Sequence, residues 1–190
     1  MKSIAFYPAF LFINFLLLSS TTFAKSTNFK EKEIPKIQKL EDIAINMFQS
    51  ENMFFSGQPN LETLEWLKNQ GVDLVINLRS KNENKDFSES AFNEKNAAIK
   101  FGMKYISIPI SGNESYTKEN LTKLGNALSS SYNKVLIHCR SCGRVSDFMI
   151  AYLVHYKGYE LSEAIEFGKQ MRFAFPLENL LDKKILWKTE

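Results

Sequence analysis

Cysteine is scarce in this chain of 190 residues: there are two, Cys139 and Cys142. Proteins stapled by disulfides join distant segments and carry more cysteines, so this close pair marks a site rather than a framework. A continuous basic run is also missing. The formal net charge is +3, which argues against nucleic acid as a partner. Histidine is equally rare, two in all. No second cysteine or histidine cluster exists to complete a tetrahedral set, so no metal is expected. The phosphate-loop lysine motif and the dinucleotide glycine fingerprint are both absent, and no cofactor is expected. Repeats and low-complexity tracts are lacking as well, which leaves one domain of ordinary size.

No apolar run is long enough for a retained membrane span. The run over residues 4–18 is short and interrupted by Pro8 and Asn14. With Lys2 ahead of it, and the small residues Thr22 and Ala24 behind it, residues 1–24 read as a signal peptide cleaved before Lys25. The mature protein is therefore expected outside the cytoplasm, periplasmic or secreted, with no stable membrane span after cleavage. Residues 25–53 read as a lysine-bearing lead-in with one short helix over 40–48. Residues 54–190 read as the folded domain.

Within that domain, apolar runs and helical patterns alternate. Asn60 is placed to cap a helix carrying Leu61, Leu64 and Leu67, ended by Gly71. Strands are expected over 74–78, 105–108 and 134–138, each followed by turn signals or a helix start. Helices are expected over 90–100, after Thr117, from Val145 to Gly158, and over 161–172 and 177–187. Such alternation implies an α/β fold in three layers, with a central, mostly parallel sheet flanked by helices.

In an open parallel sheet, ligands bind beyond the carboxyl ends of the strands. Cys139-Arg140-Ser141-Cys142-Gly143-Arg144 occupies that position, between a buried strand and a helix start. Free N–H groups at a helix start attract anions, and a guanidinium adds bidentate grip. The same field favours a thiolate. One loop thus supplies a nucleophile and a cradle for the group it attacks.

The run from Ile137 to Val145 resembles the active loop of cysteine-dependent phosphatases of the protein tyrosine phosphatase superfamily. The nearer likeness is to bacterial dual-specificity-phosphatase-like proteins, a group labelled phosphatase or sulfurtransferase. Ser56-Gly57-Gln58-Pro59, then Val75-Ile76-Asn77-Leu78-Arg79, and the segment from Gly102 through Tyr105 to Ile108-Pro109 carry the same likeness. The resemblance implies a dual-specificity-phosphatase-like fold, with Cys139 as nucleophile and Arg144 as anion-binding residue. It implies that His138 orients the loop and helps to keep Cys139 ionised, and that Ser146 eases departure of the thiolate. The substrate would be a phosphorylated or other small anion.

This sequence departs from the family pattern in three places. Four residues, not five, separate Cys139 from Arg144, and Val145 stands where ordinary tyrosine phosphatases keep the arginine. The glycine expected three after the nucleophile is Cys142, with Gly143 one step late. The loop after Ile108-Pro109, where the resemblance implies an acidic aspartate, contains none; Glu114 is the carboxylate available to protonate a leaving group. Arg79 is a candidate for the ligand rim, and His155 reads as structural. Phosphomonoester hydrolysis through a phosphocysteine is the leading expectation. The alternatives are sulfur transfer through a persulfide on Cys139 and a non-catalytic anion-binding module. A reversible Cys139–Cys142 disulfide that protects or switches off the nucleophile also stays open.

Overall fold

Why the loop sits where it does follows from strand order. A computed structural model describes residues 33–85, 92–173 and 177–185, all within the unit Lys32–Glu190. The proposed signal peptide lies outside the described residues. Six strands build one sheet: β1 Gln38–Lys39, β2 Phe48–Ser50, β3 Met53–Ser56, β4 Val72–Asn77, β5 Lys104–Ser107 and β6 Lys134–His138. Their spatial order is β1-β2-β3-β6-β4-β5. The pairs β3–β6, β6–β4 and β4–β5 are parallel, whereas β1–β2 and β2–β3 are antiparallel. The mostly parallel, three-layer architecture is as expected.

Period-two alternation sorts the core into two layers. Phe54, Val75 and Leu136 point to one face, where they pack with Leu64, Leu67, Ala98 and Met103 of α1 (Leu61–Asn69), α2 (Glu94–Lys100) and the turn after it. Phe55, Leu74, Ile76, Val135 and Ile137 point to the other. There they meet α3 (Lys118–Leu128), α4 (Gly143–Lys157), α5 (Leu161–Lys169) and α6 (Glu178–Leu181). Asn60 caps α1 by accepting from Thr63 N–H at 2.7 Å, and Thr117 caps α3 by accepting from Asn120 N–H at 3.2 Å. Gly158 ends α4 in the left-handed conformation, φ 69°, as a glycine after a last turn permits.

Several local expectations need correction. Residues 41–46 form turns rather than a helix. Leu40 N–H donates to Met47 O at 2.8 Å, closing a hairpin between β1 and β2. Asn46 is left-handed, φ 57°, which no right-handed helix tolerates. The helix expected over 90–100 starts instead at Glu94, because Asn93 caps it through Asn96 N–H at 3.0 Å. Leu61 is 47% exposed, so Thr63, not Leu61, joins Leu64 and Leu67 on the buried face. α5 stops at Lys169 and α6 is a single turn, closed by left-handed Asp182, φ 51°.

Candidate active site

The last residues of the central strands form one row across the sheet. Ser56 pairs with His138, His138 with Asn77, and Asn77 with Ser107. Ser56, His138 and Asn77 are fully buried. Polar side chains in that row serve the loops above them rather than the core below.

The loop after β6 is drawn tightly against the turn after β3. Cys139 N–H donates to Ser56 O at 3.3 Å, and Gln58 N–H donates to Arg140 O at 3.1 Å. Gly57 faces Ser141 across an isolated bridge. A Cβ at Gly57 would stand 3.0 Å from Arg140 O, so a side chain there would push the two backbones apart by a few tenths of an ångström. Cys139 and Cys142 are both free and buried. Arg140 is exposed, while Ser141, Gly143 and Arg144 are half-buried.

Cys142, not Gly143, takes the left-handed turn, with φ 70° and ψ −4°. A side chain there costs roughly 1–2 kcal/mol relative to glycine. Burial, with the neighbouring Cys139 thiol adding to it, pushes the Cys142 thiol well above its ordinary range. Cys142 O then accepts from Ser146 N–H at 3.0 Å and α4 begins.

Arg144, in the first turn of α4, is held by three groups. Its Nη1 donates to Leu78 O at 3.2 Å, Ile110 O at 2.8 Å and Glu83 Oε2 at 2.7 Å, and its Nη2 donates to Glu83 Oε1 at 2.7 Å. Burial alone would lower the guanidinium pKa, but Glu83 and the adjacent Cys139 raise it. Glu83 is itself fixed: its Oε2 accepts from Ser80 N–H at 2.7 Å and its N–H donates to Ser80 Oγ at 3.1 Å. Burial works to raise its pKa, yet Arg144 and Ser80 bring it down to about 2. The result is a bidentate carboxylate–guanidinium fork, which fixes direction as well as charge. An open groove of about 400 Å³ adjoins it, lined by Glu83, Ile110, Ser111, Asn113, Tyr116 and Arg144 among others.

A second polar cluster lies behind the loop. His138 Nε2 is 2.6 Å from Glu94 Oε1, a close contact without the alignment of a hydrogen bond. Glu94 Oε2 accepts from Gln58 Nε2 at 3.0 Å and Asn77 Nδ2 at 3.3 Å. Burial would raise the Glu94 pKa, but His138, Gln58 and Arg79 together lower it. Arg79 Nη1 donates to Gln58 Oε1 at 2.6 Å. With 2% exposure, Arg79 belongs to this buried cluster and not to a ligand rim, which corrects the sequence expectation.

Two further expected roles do not match the geometry. Ser146 is fully buried and its hydroxyl donates to Gly168 O at 2.9 Å. Its single proton serves the α4–α5 contact rather than the sulfur. Glu114 lies in the short turn Asn113–Ser115, exposed, and makes no hydrogen bond or ion pair with a loop residue among the described residues. Its carboxylate folds over Gly112 instead. A carboxylate that sequence reasoning did not single out, Asp147 of α4, is fully buried and accepts from Tyr116 Oη at 3.0 Å. His155 is structural as expected, its Nε2 3.2 Å from Leu180 O.

Among the residues that sequence reasoning overlooked, Glu83 had a signal. Ser80-x-x-Glu83 is the spacing of a reciprocal serine–glutamate turn. Glu94 had none, since its partners come from three distant segments.

A cysteine directly after a central strand, a tight loop, and an arginine fixed at the start of the next helix define a dual-specificity-phosphatase-like anion-loop protein. The chain belongs to the PTP-NADK family, described as DSP-PTPase phosphatase fused to NAD+ kinase, whose model matches residues 24–175. The Beta-lactamase hydrolase-like protein of Xylella fastidiosa (strain Temecula1 / ATCC 700964) is 26% identical over 143 residues, covering 67% of this chain and 32% of that protein. The chain thus spans about a third of that relative's length. Among solved structures, a DUF442 protein from Shewanella putrefaciens CN-32 superposes with a TM-score of 0.56 at 23% identity, covering 73% of this chain and 89% of that one. TpbA of P. aeruginosa gives a TM-score of 0.52 at 19% identity, covering 68% and 75%. At these identities the structures show a shared fold.

Proposed function

We propose that the protein is a cysteine-dependent phosphatase that hydrolyses phosphate monoesters through a phosphocysteine on Cys139. The observation that carries this reading is the Glu83–Arg144 fork, which fixes a guanidinium at the start of α4, near Cys139. In the first step the Cys139 thiolate attacks phosphorus and the ester P–O bond breaks, its electron pair leaving with the alcohol or phenol oxygen. Water then attacks the phosphocysteine and the S–P bond breaks, returning the thiolate. Arg144 and the loop N–H groups of residues 140–144 hold the equatorial oxygens through both steps.

With Glu114 turned away, the leaving group departs best when it is already a good one, which favours aryl phosphates. TpbA, which shares the fold, has been crystallised in complex with pTyr. The four-residue spacing between Cys139 and Arg144 supports a second reading on the same sulfur. There the thiolate attacks the outer sulfur of a thiosulfate-like donor, sulfite leaves with the S–S electron pair, and Cys139 carries a persulfide. Purified protein is assayed for phosphate release from an aryl phosphate, beside Cys139→Ser. Release that disappears in the variant supports the phosphatase; sulfite release from thiosulfate without phosphate release moves the protein to sulfur transfer.

Export remains part of this proposal: the mature chain starts at Lys25. N-terminal sequencing of the protein from its native host checks it, and an intact Met1 would sink it.

A further inference from the structure

Glu94 is a buried carboxylate to which the chemistry above assigns nothing. It reaches from the first turn of α2 to the end of β6, and it is 7% exposed. Four elements surround it. His138 of β6 is 2.6 Å away; Gln58 and Asn77 donate to its other oxygen; Arg79 and Tyr105 complete the charged and titratable groups around it. A carboxylate is held this way, deep in a fold, only when its charge is met. The facing imidazole has little else: neither His138 ring nitrogen has an aligned hydrogen-bond partner among the described residues.

We propose that Glu94 is a positioning residue for the thiol chemistry, holding His138 as an imidazolium under the loop so that its positive charge keeps the Cys139 sulfur nucleophilic. Strand alternation puts the His138 ring on the face opposite the Cys139 side chain. The influence therefore travels as a field across one strand rather than through a shared hydrogen bond. Cys139 also feels Arg144 and lies near Cys142 and Tyr116, so Glu94 sets one contribution among several. Its effect is modest and specific to pH. Where the thiol is only partly ionised, the imidazolium raises the reactive fraction. Where ionisation is complete, it changes nothing. This inference rests on the reading of Cys139 as a nucleophile, yet it can be tested on the sulfur without any phosphate ester.

The test is the rate of iodoacetamide alkylation of Cys139, located by peptide mass mapping, in the full chain and in Glu94→Gln and Glu94→Asp. At about pH 6 we expect Glu94→Gln to react about fivefold more slowly than wild type, as removal of a buried ion-pair dipole one strand away implies. At about pH 9 the two rates converge. Glu94→Asp, which retains the charge, recovers at least half of the lost rate at the lower pH. In a His138→Gln background, where the imidazole is already gone, Glu94→Gln brings no further pH-dependent loss. Equal rates at both pH values, a faster Glu94→Gln, or a loss of the same size at both would overturn the proposal, the last being the mark of a merely structural role. Aryl phosphate hydrolysis is followed in parallel. A protein without turnover whose alkylation still follows this pattern would end the phosphatase reading and leave the Glu94 assignment standing.

Discussion

Replacing Glu83 by glutamine keeps the size of the side chain and removes the charge that faces Arg144. In the folded protein both carboxylate oxygens sit 2.7 Å from guanidinium nitrogens, and 23% of the side chain is open to water. The fold takes the Glu83 pKa from its ordinary 4.5 to about 2. At about 1.36 kcal/mol per unit, the whole shift corresponds to about 3 kcal/mol. Solvent screening at a partly open site reduces this by roughly half, so E83Q is expected to lose about 1.5–2 kcal/mol of stability near neutral pH. Because the folded pKa is depressed, the contribution is complete above about pH 4.5 and fades as pH falls toward 2. Urea unfolding of wild type and E83Q at a series of pH values reads this directly. The two midpoints should differ near pH 7 and approach each other below about pH 4.5. Equal midpoints at neutral pH, or a gap that stays constant through the acid range, would refute the idea that the charge on Glu83 fixes Arg144. The same substitution should cut aryl phosphate turnover by about tenfold or more, since the guanidinium loses its aim.

Other substitutions test the loop from different sides. At left-handed Cys142, glycine should be more stable than alanine by about 1 kcal/mol, the reverse of their order within a helix; thermal unfolding of C142G and C142A decides it. Gly57→Ala presses a methyl against Arg140 O at 3.0 Å; it should cost about 1–3 kcal/mol in urea unfolding and depress turnover together, as the two backbones must part. Tyr116→Phe deprives buried Asp147 of a donor at 3.0 Å and should cost about 1–3 kcal/mol in the same assay. A Tyr116→Phe protein as stable as wild type would mean that this hydrogen bond contributes little.

Three of the parallel strands, β4, β5 and β6, were legible because they are short apolar runs between turn signals, and Asn60, Thr117 and Gly158 punctuate helices by local chemistry alone; β3, the fourth strand of the parallel set, was missed. The hairpin of β1 and β2 was not. Its strands cover two and three residues, too few for a period to show, and their stability comes from pairing with β3. The anion loop was readable as a unit, since Cys139 through Arg144 are contiguous. What holds that loop was mostly hidden. Glu83 and Glu94 act on residues sixty-one and forty-four positions away, counted from Arg144 and His138, and only folding brings them there. Ser146 shows the opposite failure. Its place in the sequence fitted a role at the sulfur, but helical rotation carries it to Gly168 of α5, and its hydroxyl is spent on packing.

The most direct test of the central claim is intact-mass and peptide analysis of the protein, quenched within the first turnovers on an aryl phosphate. The account predicts a transient species heavier by one phosphoryl group on the peptide that contains Cys139, absent from Cys139→Ser, and decaying as inorganic phosphate appears. Phosphate release without that species and undiminished in Cys139→Ser would contradict it.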